Sequence, residues 1–278
     1  LSQFGYENSI VELQKKITSK AIKTLISFDV DLTRHINVPI QLFSDINIVY
    51  LTQYKNAFSD LSNILISKTH FLEEWGLLGS KEGHLSIQQP LINPLYDGKS
   101  VSDILLILLN QTKDSYTHLT NYIQQQNINF NTIKRIGVIK NKLKKYSLPV
   151  NFIQFPKTKP SDSPLSLSLV PSYQLIDGRY SNNSWLHESP DPISKLTWGN
   201  AFYINSDYAK TQDLVSGDVI KVNLSDNLTL KGPVMVLPGQ NESTITINYG
   251  YGNIFKGAFS RYGVSTDKLI PNRSYTIS

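Results

Sequence analysis

The chain has 278 residues, a net charge of +5 and a sequence pI near 9.1, which is enough length for one large domain or two ordinary ones. It contains no cysteine, so disulfides, cysteine-ligated zinc, iron–sulfur clusters and a cysteine ligand to molybdenum are excluded within it. The longest purely apolar run, Ile104–Leu109, is far shorter than the roughly 20 residues of a membrane helix. We expect a soluble piece without a transmembrane segment. Its start at Leu1, with no signal-like region, indicates a fragment or a processed form.

The first part of the chain alternates helical and strand patterns. Apolar spacing predicts a helix over Ser9–Lys20 and a short one over Pro39–Phe43. Runs rich in β-branched residues predict three strands, at Lys23–Phe28, Ile46–Thr52 and Ile64–Ser67. This alternation indicates a parallel sheet with right-handed crossovers, as in a partial Rossmann-like lobe.

The pattern weakens after the third predicted strand. Six glycines and prolines punctuate residues 70–100, which we expect to be mostly irregular. Helices are predicted beyond them, at Val101–Leu109, Tyr116–Gln126 and Thr132–Lys145. Residues 148–164, with prolines at 149, 156 and 160 and another at 164, are predicted to be an interdomain linker.

Period-two alternation dominates after Leu165. It predicts strands around Leu165–Leu169, Val219–Leu224 and Thr244–Tyr249, with turns at Gly217-Asp218 and Asp226-Asn227. One helix is predicted at Ser206–Thr211. Several short strands with one or two helices indicate a small closed barrel. The predicted domains are therefore an α/β lobe over residues 1–147, the linker over 148–164 and a mainly β domain over 165–278.

One basic cluster stands out. Its members are Lys134, Arg135, Lys140, Lys142, Lys144 and Lys145. Such a cluster can bind nucleic acid or anionic lipid. No aromatic stacking residues interleave it, so we interpret it as a solvated helix face and expect no nucleic-acid partner.

Three separated elements in the C-terminal half carry a family resemblance. The first element is Asn182-Asn183 followed by the run Trp185–Pro192. Within that run, the residues that match the family's pattern are Trp185, Leu186, Glu188, Pro190, Asp191 and Pro192. The second is Lys195-Leu-Thr-Trp198. The third is a Pro238-Gly239 turn, then a strand into Gly250-Tyr-Gly252. In order and spacing they resemble the C-terminal domain of molybdopterin oxidoreductases, and most closely the cofactor-less molybdopterin-oxidoreductase-like subunit of bacterial alternative complex III.

This resemblance implies a specific fold and role. The fold would be a partial α/β lobe followed by a double-psi β-barrel. The role would be structural, within the peripheral subunit of a respiratory quinol-oxidising complex that docks onto membrane and cytochrome subunits on the bacterial periplasmic side. Cofactors would be absent from this chain. Upstream, Thr69–Gly76 and Ser86–Tyr96 also resemble that subunit, more loosely.

The chain departs from the catalytic members at two strand ends. Those members have a glycine-rich Gly-x-Asn-Pro turn after the first of these strands, where this chain reads Phe28-Asp29-Val30-Asp31. A bulky side chain and two carboxylates would oppose a pterin diphosphate. Ser67-Lys68 replaces a Leu-Pro pair that many members have. Both departures favour a chain without cofactor.

Several side chains invite a functional interpretation. His70 and His84 flank Glu73-Glu74, but the spacing fits no familiar metal site, so His70 is interpreted as structural and no metal ligands are assigned. His187 and Glu188 are expected on an extended segment that points them apart. Asp29 and Asp31 are interpreted as solvent-exposed loop caps.

Weak pterin-contact candidates remain. They are Asn182, Asn183, Trp185, Gln240 and Asn248; the amides could equally satisfy loop backbone, and Trp185 and Trp198 could stack on a cofactor or pack in a core or interface. No catalytic residue is assigned. Two alternatives to the scaffold stay open: the C-terminal part of a true molybdenum-dependent oxidoreductase that uses molybdopterin guanine dinucleotide, and a freestanding β-barrel binding module.

Overall fold

A computed structural model describes residues 9–36, 38–80, 83–112, 114–140, 165–224, 228–252, 254–269 and 274–276. The predicted linker at 148–164 lies outside the described residues, as do Lys142, Lys144 and Lys145 of the basic cluster and the predicted turn at Asp226-Asn227. No helix within the described ranges is long and apolar enough to cross a bilayer.

The first lobe is built on a parallel sheet. Its three strands are β1 (Thr24–Phe28), β2 (Asn47–Thr52) and β3 (Ile64–Ser67), which pair in the order β1-β2-β3. Helices α1 (Ser9–Thr18) and α2 (Leu32–His35) and a 3-10 turn at Ile40–Phe43 accompany it. The predicted strands are confirmed to within one residue at each end. Because the strands are parallel, their carboxyl ends meet at one edge of the sheet.

Aromatic packing fills the core of this lobe. Phe58 is fully buried and meets Phe43 and Tyr50 edge-on, with ring centroids 5.8 and 5.0 Å away. Ile17 of α1 and Ile48 of β2 are also fully buried in this cluster. The amphipathic pattern of α1 therefore corresponds to its packing against the sheet.

The described residues between 70 and 100 are mostly irregular, as expected, but they include a hairpin that the sequence did not predict. Strands β4 (Gly76–Gly79) and β5 (His84–Gln88) form an antiparallel hairpin, and β6 (Val138–Lys140) adds to β5 on its other side. In β5 the apolar Leu85 and Ile87 are buried, while the polar residues between and beside them are half-buried. This strand has the period-two alternation of a half-buried sheet. The glycines and prolines on either side of it are typical of loops, so the sequence did not predict a strand here.

Three helices complete this part: α3 (Val101–Leu108), α4 (Ser115–Gln125) and α5 (Phe130–Ile136). The prediction of one helix over Thr132–Lys145 is wrong, because α5 ends before Gly137, whose φ of +83° suits glycine, and β6 follows. The basic cluster is therefore not one helix face. Lys134 lies in the last turn of α5, with Nζ 5.5 Å from the centre of the Trp75 ring, and Lys140 lies in β6.

The second lobe contains a mixed sheet of six strands. They are β7 (Ser166–Pro171), β8 (Phe202–Ile204), β9 (Val219–Asn223), β10 (Thr229–Val236), β11 (Thr244–Tyr249) and β12 (Ser274–Thr276). Their order is β12-β7-β11-β8-β10-β9, with β11/β7 and β10/β8 parallel and the other pairs antiparallel. Two short helices accompany the sheet, α6 (Ser184–Glu188) and the predicted α7 (Ser206–Thr211).

A closed barrel is not formed by the described strands. The sheet runs from β12 at one edge to β9 at the other, and no described pairing joins these edges. Its inner face is nevertheless a continuous apolar core, in which Leu167, Phe202, Ile204 and Ile247 are fully buried. The architecture is thus an α/β lobe followed by a mainly β lobe, and the double-psi connectivity remains a prediction.

Candidate functional site

A cavity of about 730 Å³ lies where the carboxyl edge of the parallel sheet meets the second lobe. Both lobes contribute polar and aromatic side chains to it. From the first come Asp29, Asp31, Arg34, His35, Tyr50, Thr52, Tyr54, Asn56 and His70; from the second come Asp177, Arg179, Tyr180, Asn182, Asn183, Ser184 and Phe255. In open α/β sheets this edge is where ligands bind.

Asp29 is held by groups at the ends of the other two strands, β2 and β3. It follows β1 with φ +59°, a left-handed conformation that non-glycine residues seldom adopt. Its backbone N–H donates to the Leu51 carbonyl (2.7 Å). Its carboxylate accepts from the Thr52 hydroxyl (3.0 Å) and from Lys68 Nζ (2.8 Å). Lys68, at the position where the sequence departs from the family pattern, is therefore the cation that pairs with Asp29.

Asp31 is buried, which corrects its interpretation as a solvent-exposed cap. It does cap α2, because its Oδ1 accepts from the backbone N–H and the hydroxyl of Thr33. The residue is only 7% exposed, and its Oδ2 has no hydrogen-bond partner among the described residues. A buried carboxylate oxygen without a donor is costly, typically about 1–3 kcal/mol or more.

Arg34 reaches from α2 into the second lobe. Its Nε donates to Asp267 Oδ1 (3.1 Å) and its Nη2 donates to the Asp177 carbonyl (2.9 Å). The side chains of the Arg34–Asp267 pair are only 13% and 22% exposed. Burial raises the pKa of Asp267, the charge of Arg34 lowers it, and the nearby charge of Asp31 raises it again. The pair joins the two lobes beside the cavity.

The second arginine of the cavity is also matched by a carboxylate. Arg179 donates from Nε to Asp177 Oδ1 (2.9 Å) and from Nη2 to Asp177 Oδ2 (2.8 Å). These hydrogen bonds lower the pKa of the Asp177 carboxyl, so it stays ionised. Both arginines thus face carboxylates already in place, which reduces the positive charge available to an anion.

The two histidines of the cavity have different surroundings. Burial lowers the pKa of His35, and Arg34 lowers it further, so its imidazole is neutral at pH 7. His70 accepts a hydrogen bond at Nδ1 from the Leu72 backbone N–H (3.3 Å), and its backbone N–H donates to Glu73 Oε2 (2.8 Å). Across the described ranges, no three His, Asp or Glu side chains are grouped to hold a metal ion.

The cavity contains two of the five weak candidates. Asn182 and Asn183 line it, and Asn183 also caps α6 by accepting from the Trp185 N–H (3.0 Å). Gln240 instead donates to Thr246 within the six-stranded sheet. Asn248 donates to the Tyr203 hydroxyl (3.3 Å) and is also not a lining residue. Trp185 is 81% exposed, so of the alternatives left open for its ring, packing in the core is excluded.

The expectation of an extended segment at His187-Glu188 is also wrong, because both residues belong to α6. His187 is buried, donates from Nε2 to the Ser181 carbonyl (2.8 Å), and stacks on Trp198 at a centroid distance of 5.1 Å. Trp198 is therefore a packing partner for this histidine.

Sequence reasoning missed the paired charged residues in and beside the cavity. Arg34, Asp177, Arg179 and Asp267 carried no recognisable motif. Only the Asp29-Val30-Asp31 turn after β1 gave a usable signal, since the carboxyl ends of parallel strands are common ligand sites.

No protein-family model and no curated protein matches this chain. Among solved structures, acetylene hydratase from Pelobacter acetylenicus is similar, with a TM-score of 0.69 and 16% identity. The similarity covers 90% of this chain and 41% of the hydratase, so the chain spans less than half the length of that enzyme. At 16% identity, this likeness shows a shared fold.

The pKa of His35 gives a testable pH dependence. Because folding lowers this pKa below its usual 6.5, the unfolded chain takes up the proton first as the pH falls. The contribution of the neutral His35 to the free energy of unfolding is present above about pH 6.5 and is lost progressively below it.

We expect His35→Gln to reduce the fall in unfolding free energy between about pH 7 and about pH 5, measured with urea. The exposed His118→Gln serves as the control; equal slopes in wild type and His35→Gln would contradict the assignment.

Proposed function

We propose that this chain is a non-catalytic structural part of a molybdopterin-oxidoreductase-like subunit in a respiratory quinol:electron-acceptor oxidoreductase complex. The likeness to a molybdopterin enzyme supports the fold. The three sequence elements that resemble the alternative complex III subunit support the finer assignment, including a double-psi β-barrel and a peripheral position on the periplasmic side of a bacterial membrane. Partners would be the membrane and cytochrome subunits of the complex.

The observation that carries the non-catalytic role is the charge of the cavity at the strand ends. A dinucleotide diphosphate needs free backbone N–H groups or unpaired cations. Here Asp29 places a carboxylate at the turn after β1, and Lys68 is engaged by that carboxylate. Arg34 and Arg179 face Asp267 and Asp177. The residues present therefore do not fit the phosphates of a molybdopterin nucleotide.

The alternative is the C-terminal part of a true molybdenum enzyme. The similarity to acetylene hydratase favours it, as do the amides of Asn182 and Asn183 in the cavity, which could contact a pterin. In that case, residues outside this chain would supply the rest of the site. A freestanding binding module has no comparable support.

The diphosphate argument is tested with GDP as the probe. We expect no binding by calorimetry, corresponding to a Kd weaker than about 1 mM, and no stoichiometric molybdenum, iron or zinc by elemental analysis of the purified chain. The double variant Asp29→Gly/Asp31→Asn, which removes both negative charges, shows whether the carboxylates exclude the probe. One equivalent of GDP or of a metal bound to the wild type would favour the enzyme alternative.

The exposure of Trp185 generates a prediction about docking. Because its ring is 81% exposed, Trp185→Ala should change the unfolding free energy by less than about 0.5 kcal/mol. If the ring anchors a partner subunit, docking should weaken by about 2 kcal/mol or more.

Trp198→Ala is the matched control. Its ring stacks on the buried His187, so its removal should lower the unfolding free energy by about 3 kcal/mol. Urea unfolding measures stability, and reconstitution with the remaining subunits of the complex measures docking. If the Trp185→Ala variant docks as strongly as the wild type, this side chain is not part of the interface.

A further inference from the structure

The cavity between the lobes contains one negative charge without a matching cation. Asp29 pairs with Lys68, Asp177 with Arg179 and Asp267 with Arg34. Asp31 forms no ion pair with any of the described residues, although it is 7% exposed and lines the cavity. Its Oδ2 also lacks a hydrogen-bond donor there. Oδ2 has almost no accessible surface, so a positively charged donor would satisfy both deficiencies once the Asp31 side chain turns this oxygen toward the cavity.

The same cavity has an aromatic wall. Tyr54 of the first lobe and Phe255 of the second lie with ring centroids 5.3 Å apart and planes inclined at 48°. Aromatic faces attract cations, and the flat guanidinium group is especially suited to stacking on them. The wall and the buried carboxylate therefore select for the same kind of group.

The shape and ligand set point to an organic cation. A volume of about 730 Å³ greatly exceeds the space that a single ion needs. Carboxylates and imidazoles are not grouped in threes as a metal site requires, as far as the structure describes the chain. Desolvation at the cavity and the nearby Arg34 lower the pKa of His35, which disfavours a competing positive charge on its imidazole.

We propose that this cavity binds a guanidinium cation, with Asp31 as its carboxylate partner and the Tyr54–Phe255 pair as its aromatic wall. The cation is either a free small molecule or the side chain of an arginine on a polypeptide. Binding draws on both lobes and therefore stabilises their contact. This inference goes beyond the scaffold role and does not require it.

The test uses agmatine as the free cation and the blocked tripeptide acetyl-Gly-Arg-Gly-amide as the polypeptide source, with calorimetry and thermal unfolding of the whole chain. We expect agmatine to bind with one-to-one stoichiometry and to raise the unfolding temperature. Comparable binding of the tripeptide assigns the site to an arginine side chain. Binding of agmatine alone assigns it to a free small molecule.

Asp31→Asn is the decisive variant. Asparagine caps a helix as well as aspartate does, so α2 is retained while the charge is lost. We expect the affinity for agmatine to fall at least about tenfold, the effect of one charge-assisted contact. Asp45→Asn is the matched control, because Asp45 pairs with Lys20 on the exposed surface of the first lobe and does not line the cavity; it should leave the affinity unchanged.

Tyr54→Leu gives a second, independent readout if Asp31→Asn fails to fold. Tyr54 is 47% exposed, so its replacement is tolerated and should weaken binding several-fold by removing one ring. The inference is overturned if neither probe binds at millimolar concentration, or if binding is unaffected by both variants. Binding of GDP would instead contradict the scaffold role, so the two failures are distinguishable.

Discussion

The rest of the structure depends on one set of hydrogen bonds between the lobes. Arg34 of α2 donates to the Asp267 carboxylate and to the Asp177 carbonyl. A guanidinium group has donors enough to satisfy two acceptors at once and cannot lose its charge. Since the Arg34–Asp267 pair is mostly buried, loss of either partner would leave an uncompensated charge in a poorly solvated place. This contact sets how the two lobes meet, together with the pairing of Lys256 and Asp60.

The properties of the cavity follow from this arrangement. The same short helix that carries Arg34 begins at Asp31, so the residue that joins the lobes also places a buried carboxylate beside the strand ends. Each nearby cation is used inside the protein: Lys68 by Asp29, Arg179 by Asp177 and Arg34 by Asp267. The cavity therefore lies at the carboxyl ends of parallel strands, where α/β sheets commonly bind ligands, while the charges of these three cations are already matched by carboxylates. A structural role that keeps the fold and changes the ligand is consistent with these charges.

The sequence predicted local structure well and long-range contacts poorly. Strands β1 to β3 were predictable because buried parallel strands are continuous apolar runs rich in β-branched residues. The hairpin of β4 and β5 was missed because its short strands are bounded by glycines that read as loop signals. Asp29 and Asp31 could be singled out because they follow a strand. Nothing in the sequence indicated that Asp31 is buried. The Arg34–Asp267 pair joins residues 233 positions apart, and no local pattern encodes such a contact.

The joining of the lobes by Arg34 is tested most directly by a double-mutant cycle in urea at neutral pH, with Arg34→Met, Asp267→Asn and the combined variant. If the pair holds the lobes together, the double variant should be less destabilised than the sum of the single ones, with a coupling energy of at least about 1 kcal/mol. Asp60→Asn combined with Arg34→Met gives the reference for lobe contacts that do not share a partner. Effects of Arg34→Met and Asp267→Asn that add to within about 0.3 kcal/mol would contradict the account.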